Sequence, residues 1–351
     1  MSERSKKHAE ELRFSASILE ARALTALREA GADEKSATAT TRAMLHASRL
    51  GVDSHGIRLT SFYADSLRTG QVNANPVFKP HRTAAASAML DADHGLGHAA
   101  AYAGMELACE IAKDSGIGAV GITHSTHYGA AGAYALAGAE AGFISLSTTN
   151  ADSLVALHDG TARFHGTNPI AAAAPVPGQK PWLLDMATSA IPYNRILLFR
   201  SLQRELPPDV TADISGAPTR DPHLAEILTP LGGRDFGFKG AGLAGLVTIL
   251  SAVLTGSTPD HLVVPMNPED GNATRHDIGH FCLAIDPERF IGREGYDALI
   301  TQYLAGLRAS PGSAPDTPML APGDREWATM EEREMLGIPV DPTTAAFLKL
   351  I

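Results

Sequence analysis

Three glycines, Gly116, Gly118 and Gly121, limit the fold more than any other feature of the sequence. Their spacing matches the dinucleotide fingerprint G-x-G-x-x-G, whose glycines close a strand and open a helix so that a pyrophosphate rests on free helix amides. Here the glycines lead into and interrupt a β-like run, Gly118-Ala-Val-Gly-Ile-Thr123. Gly129 and Gly132 do open a helical stretch, but the first glycine of the fingerprint is missing there. The flanking segments mix strands and helices without a strict βαβ beat. A doubly wound Rossmann sheet is therefore not expected.

The first seventy residues are helical in pattern. Leu12, Ala16, Leu19, Ala23 and Leu27 recur at three- and four-residue spacing and predict a helix over residues 10–30, stopped at Gly31. Asp33 is placed to cap a second helix reaching about Leu50, and a third runs from about Ile57 to Leu67, ending near Gly70. Between them stands the polar turn Asp53-Ser54-His55-Gly56. From about Thr83 the character changes. Helices are predicted over 98–114 and 129–140, and strands over 88–93, 118–123, 143–148, 170–174, 182–185 and 281–285. Residues 202–235 and 257–275 read as exposed loops. Leu243, Leu246, Val247, Leu250, Val253 and Leu254 predict a buried helix over 240–255. The C-terminal piece, 287–351, is helical with a Pro-rich break at 311–323.

Charge and composition narrow the function classes. A formal net charge of −10 argues against nucleic acid or an anionic membrane as partner. The longest apolar run, Gly242 to Gly256, falls short of the ~20 residues of a membrane span. No apolar leader segment follows the charged N-terminal heptapeptide. Cys109 and Cys282 have no neighbouring cysteine and read as buried thiols in a reducing compartment. A soluble cytoplasmic protein is expected.

Several short motifs could carry chemistry. His124 and His127 are spaced for zinc on a helix, the basis of an alternative from another class, a metal-dependent hydrolase. No carboxylate or cysteine cluster nearby completes such a site, so no metal is expected. His94 and His98 sit in a glycine-rich turn and read as structural. The turn Gly166-Thr167-Asn168-Pro169 offers a hydroxyl and an amide. Asp185-Met186-Ala187-Thr188-Ser189 ends a predicted strand, where it could hold ribose hydroxyls or cap a helix. Lys239-Gly240 precedes the predicted helix at 240, and could bind phosphate there or be a solvated helix start.

Taken in order, six motifs resemble the malate/L-lactate dehydrogenase family of non-Rossmann oxidoreductases, which also includes reductases of cyclic imino acids. They are Asp53-Ser-His-Gly56, His127-Tyr-Gly-Ala-Ala-Gly132, Gly166-Thr-Asn-Pro169, Asp185-Met-Ala-Thr-Ser189, Phe238-Lys-Gly240 and Ala284-Ile-Asp-Pro-Glu-Arg-Phe290. The resemblance implies an α+β fold: a cofactor domain (79–285) with a mostly antiparallel sheet flanked by helices, plus a helical domain from both chain ends (1–78 with 286–351). It implies hydride transfer between NAD(H) or NADP(H) and C2 of a small 2-oxo acid, in a cleft completed at a homodimer interface. His55 would be the acid/base with Ser54 beside it, and His127, Thr167 and Asn168 would contact substrate. Asn150, Asp185, Met186, Ala187, Thr188, Ser189, Lys239, Gly240 and the turn Pro322-Gly323-Asp324 would hold the cofactor. Reduction of a piperideine- or pyrroline-2-carboxylate is the alternative within the family.

The chemistry follows from the groups. Hydride adds to the electrophilic C2, the oxygen gathers negative charge, and an imidazolium can donate to it because histidine titrates near neutral pH. A two-pronged arginine would clamp the carboxylate, and Arg49 and Arg58 flank the motif as candidates. Departures from the family pattern stand out. Its arginine usually comes four residues after the histidine, where this chain has Leu59; Arg58 is one residue earlier, ~100° away on a helix. Ala151 replaces a frequent serine, Arg195 replaces an acidic residue of some imino-acid reductases, and Asp324 replaces glutamate. Lys180, Arg195 and Arg200 are the candidates to meet a ribose 2′-phosphate, and Arg275 could reach the substrate.

Overall fold

Ser15 accepts the amide of Ile18 and starts the first helix, α1 (Ala16–Glu29), six residues later than the spacing predicts. Leu12 lies instead in a strand, β1 (Leu12–Phe14), paired with residues 338–340 near the C-terminus. The computed structural model describes residues 12–201, 203–265, 274–314 and 317–351. The N-terminal heptapeptide, the start of the first expected helix, and parts of the expected loops and of the Pro-rich break lie outside the described residues.

Asp33 caps α2 (Glu34–Arg49) by accepting the Ser36 amide, and α3 spans Thr60–Arg68. Then follow β2 (Lys79–Ala84), β3 (Ser87–Asp91), α4 (Gly97–Ser115), β4 (Ile117–Ser125), α5 (Gly132–Glu140) and β5 (Ile144–Thr149). Next come β6 (Val155–Ala156), β7 (Arg163–His165), β8 (Ile170–Ala174), β9 (Trp182–Met186), α6 (Tyr193–Ser201), β10 (Thr211–Ala212) and β11 (Ile227–Leu228). The chain ends with α7 (Gly233–Thr248), β12 (Ile278–Ile285), α8 (Arg293–Arg308), α9 (Asp324–Leu336), β13 (Ile338–Val340) and α10 (Pro342–Phe347).

The main sheet has seven strands in the order β2-β3-β4-β12-β5-β8-β9. Every neighbouring pair is antiparallel except β3 with β4, which excludes a doubly wound parallel sheet and bears out the non-Rossmann α+β expectation. Successive residues of a strand face opposite sides. Ile122 therefore meets Gly104 of α4 while Gly121 meets Thr255, just beyond α7, so the two helices cover opposite faces.

The fingerprint-like glycines have packing roles. Gly116 ends α4 at φ +79°. A Cβ on Gly118 would lie 1.9 Å from the Ala108 carbonyl oxygen, so α4 approaches β4 only because that side chain is absent.

Two expectations are corrected here. Residues 202–235 are not simply an exposed loop. They carry β10 and β11, which join β6 and β7 in a second, four-stranded sheet. Leu206, Ala225 and Leu228 are buried there with Val155 and Ile196. The helix expected at 240–255 begins at Gly233, continues as a π-helical turn through Val253, and is not buried all round. Its small residues Gly237, Gly240, Ala244 and Ser251 face inward, while Leu246, Ile249 and Val253 are 49%, 56% and 62% exposed. At 21 residues and a mean hydropathy of 1.6, Gly233–Val253 is long and apolar enough by length and composition to cross a membrane, unlike the shorter run read from sequence.

Both chain ends share one core. Leu19, Leu27, Met44 and Tyr63 pack with Ile338, Val340 and Leu348. The C-terminal piece is helical as expected, with β13 added.

Replacing Gly118 by alanine is expected to lower stability by ~1–3 kcal/mol through overpacking against Ala108, measured by urea unfolding, and to leave nicotinamide-cofactor affinity unchanged.

Candidate active site

The turn that carries His55 is held from two sides. Asp53–His55 form a single 3₁₀ turn directly after α2. A Cβ on Gly56 would lie 2.2 Å from Ser48 Oγ, and that oxygen accepts the Ile57 amide at 2.9 Å. Glycine is thus what lets the turn fold back onto α2. From the other side, Arg333 of α9 forks onto the Asp53 carboxylate at 2.5 and 2.8 Å and also donates to the Ser48 carbonyl. The Arg333 side chain is largely buried, the setting in which bidentate geometry holds a loop most firmly.

Within the turn, Ser54 Oγ lies 2.8 Å from His55 Nδ1, which leaves Nε2 as the free ring nitrogen. Burial, with Arg58 adding to it, pulls the His55 imidazole down to about 4. The His127 ring stands beside it, with centroids 5.7 Å apart. Tyr63 Oη meets His127 Nδ1 at 2.8 Å. Burial raises the Tyr63 phenol far above its ordinary value and lowers His127 well below its own, so both groups are neutral at pH 7. The buried Tyr63 hydroxyl then donates to Nδ1, and His127 carries its proton on Nε2. Behind them His98, lowered to about 3 by burial, meets Tyr63 edge-on at 4.5 Å.

Ser54, His55 and His127 open into a cleft of about 550 Å³. The His55 turn, the next 3₁₀ turn and α3 supply Ser54, His55, Leu59 and Phe62. The sheet side supplies Ala130, Ala131, Thr167, Asp185, Met186 and Ala187. The small sheet and α6 supply Leu154, Arg163, Tyr193 and Leu197. Asp185 Oδ2 accepts the Gly132 amide at the start of α5, at 2.9 Å. Asp185 is open to the cleft but ringed by protein. Burial raises its carboxyl to about 6, against the pull of the Gly132 amide.

A family model described as malate/L-lactate dehydrogenase matches residues 14–349. The chain belongs to the malate/L-lactate dehydrogenase family. Malate dehydrogenase of Pyrococcus abyssi is 36% identical over 90% of this chain and 87% of its own length. The NAD(+)-dependent ureidoglycolate dehydrogenase of Escherichia coli K12 is 31% identical over 90% and 88%. The solved structure of malate dehydrogenase from Pyrococcus horikoshii OT3 covers 100% of this chain and 97% of its own, with a TM-score of 0.87 at 33% identity. As a family member the protein is an NAD(P)-dependent oxidoreductase of hydroxy acids.

The dehydrogenase cleft gathers seven of the residues singled out in the sequence: Ser54, His55, His127, Thr167, Asp185, Met186 and Ala187. Gly129, Ala130, Ala131, Ala151 and Pro169 of the same sequence motifs and departures line it too, and the remaining residues assigned a role lie outside it. Arg58 is exposed, with Leu59 facing the cleft in its stead, and Arg49 is partly buried with its Nε unpartnered. Asn150 ties the Gly279 amide to the Thr258 carbonyl. Asn168 is fully buried and donates to Asp260 at 2.7 Å, in a network with His165 and Thr248. Thr188 donates to the Thr167 and Asn168 carbonyls, and Ser189 to the Ile191 carbonyl, so both shape the strand end from behind. Lys239 and Gly240 lie inside α7 rather than before it. The Gly240 amide is bonded to the Leu231 carbonyl and is not free for phosphate. Gly323 caps α9 with φ +98°, and Asp324 is forked by Arg308 at 2.7 and 3.0 Å. His124 turns away from His127 to Asp91 and His94, and no group of three or more metal-binding side chains occurs among the described residues.

A nicotinamide fits the residues present. Met186, Ala187, Ala130 and Ala131 give the lining apolar groups suited to a ring, and Asp185 and Thr167 give it polar atoms. Reasoning from sequence missed Arg333 and Tyr63, since nothing local marks a partner 280 residues from Asp53 or 64 residues from His127.

Arg333→Met is expected to cost ~1–3 kcal/mol in unfolding experiments and to lower kcat about tenfold or more by loosening the turn. Arg333→Lys, which cannot fork, should recover only part of either.

Proposed function

We propose that the protein interconverts a small 2-oxo acid and its 2-hydroxy acid, with His55 as acid/base. The observation that carries this reading is the Ser54–His55 contact, which leaves Nε2 free in a cleft shared with His127. When bound, NAD(H) or NADP(H) supplies or accepts the hydride, and Asp185, Met186 and Ala187 are the residues that would hold it. In the oxidative direction neutral His55 takes the alcohol proton at Nε2. In the reductive direction the imidazolium returns it to the carbonyl oxygen. In both, Nδ1–H donates to Ser54 Oγ, so the serine holds the ring in one tautomer and stabilises its charged form. His127 offers its Nε2–H to a substrate oxygen, with Tyr63 fixing that tautomer. Arg195, which stands where some imino-acid reductases carry an acid, lies over the Phe199 ring, and the cleft gives the cyclic-imine reading no added support.

The same reading divides the chain into a cofactor domain (79–285) and a helical domain (1–78 with 286–351), supported by the core that both chain ends share. A cytoplasmic location is supported by two free, buried cysteines, Cys109 and Cys282. A homodimer is supported by α7, whose small face packs inward while Leu246, Ile249 and Val253 face out. A lone chain would leave that apolar stripe in water.

His55→Ala is expected to lower kcat by ~10²–10⁴ without loss of folding. Because His55 is held near 4, the base form persists to low pH. The kcat/KM for hydroxy-acid oxidation should stay level from pH 8 to about 5 and fall only below that. The kcat/KM for reduction, which needs the imidazolium, should fall about tenfold per unit as pH rises over the same range. Oxidation that instead collapses near pH 6.5 would contradict this assignment.

Light scattering should give twice the chain mass of 36.8 kDa. The pair Leu246→Glu and Ile249→Glu should give the single-chain mass, and a monomeric wild type would rule the dimer out.

A further inference from the structure

We propose that the cleft selects 2-oxo monocarboxylic acids bearing an apolar branch, aliphatic or aromatic, over dicarboxylic acids. The inference rests on the reading of this cleft as a 2-oxo acid site and names which acid it takes. Leu59 and Phe62 enter the same cleft as His55, and Leu154 and Leu197 enter it from the small-sheet side. Leu59 and Phe62 are packed on the core of α1, α2 and α3, and Leu154 on the core of the small sheet. Packing on both sides therefore holds the apolar walls in place, and they do not swing aside to expose a charge.

The charges in the cleft point the same way. Arg163 is the one arginine or lysine among the described lining residues. Its Nη2 lies 2.6 Å from a Glu226 carboxylate oxygen, and its Nε donates to the Glu226 carbonyl at 2.9 Å. The other formally charged lining groups are carboxylates, Asp152 and Asp185. The C1 carboxylate of a substrate can be met by the His127 N–H, beside the His55 ring. A second carboxylate, as on oxaloacetate, would lose its water against leucine and phenylalanine without gaining a cation. A branched aliphatic or phenyl group gains from the same walls.

The test is a panel of initial rates on the full chain, with NADH and with NADPH. The acids are pyruvate, oxaloacetate, 4-methyl-2-oxopentanoate and phenylpyruvate. The kcat/KM for the last two is expected to exceed that for oxaloacetate by about tenfold or more. Leu59→Arg should narrow or invert that ratio, mainly through a lower KM for oxaloacetate. Leu59→Gln, a substitution of similar size without charge, should give oxaloacetate no such gain. A wild type faster on oxaloacetate overturns the selectivity and leaves the 2-oxo acid reading standing. Silence across the panel overturns that reading, and the selectivity with it. The wild-type comparison needs no variant to fold.

Discussion

The grip of Arg333 on Asp53 is the contact on which the active site depends. It joins the last long helix to the turn after α2, across 280 residues. With Gly56 pressed against Ser48, it leaves the turn with no freedom to place His55 elsewhere. A buried guanidinium with one carboxylate and one carbonyl as acceptors is a directional restraint, unlike hydrophobic packing, which tolerates sliding. This explains why both chain ends must fold together. The N-terminal helices supply His55, and the C-terminal helix α9 fixes the turn that carries it.

The second constraint is thinness. The sheet is covered by helices that come unusually close because small residues meet at the contacts. A Cβ on Gly118 would strike α4, and a Cβ on Gly279 of β12 would lie 1.8 Å from the Ser251 carbonyl oxygen at the π-helical turn. That turn also places the Ser251 hydroxyl 2.8 Å from Thr148 Oγ1. With its small residues and Val247 turned to the sheet, the helix leaves Leu246, Ile249 and Val253 facing out. The outward apolar stripe is thus the other side of the close packing.

Most elements were legible in the sequence because their periodicity is local. The caps at Asp33 and Gly31, the strands at 170–174 and 182–186, and the helix over 97–115 all follow from short-range pattern. Residues 202–235 were misread because β10 and β11 are two residues each, too short to show alternation, and because Pro and Gly dominate around them. Helix α7 was misread in a different way. Helical spacing of large apolar residues identifies a face but not what covers it, and here Gly237, Gly240 and Ala244 make the inner face together with Val247. At the site, residues on the catalytic turn and the strand ends were found by motif. Asn150, Asn168 and Thr188 carry the same motif letters, yet their side chains bond to the protein's own backbone or side chains. Whether a polar side chain faces the cleft or braces the strand behind it depends on tertiary placement, which spacing does not encode.

Burial of so many imidazoles has a chemical consequence. His55, His98, His127 and His280 are all pushed below their ordinary values, chiefly by desolvation, and His55, His98 and His280 each add to the depression of His127. Protonating His55 is opposed by burial and by the neighbouring Arg58, and protonating His127 by burial and by the histidines around it. The free enzyme therefore presents a base, suited to taking a proton from an alcohol. In the proposed reverse reaction the substrate carboxylate adds a negative charge beside His55, which favours the imidazolium. In the proposed mechanism, acid form and bound acid are thereby coupled: the substrate's own charge favours the protonated His55.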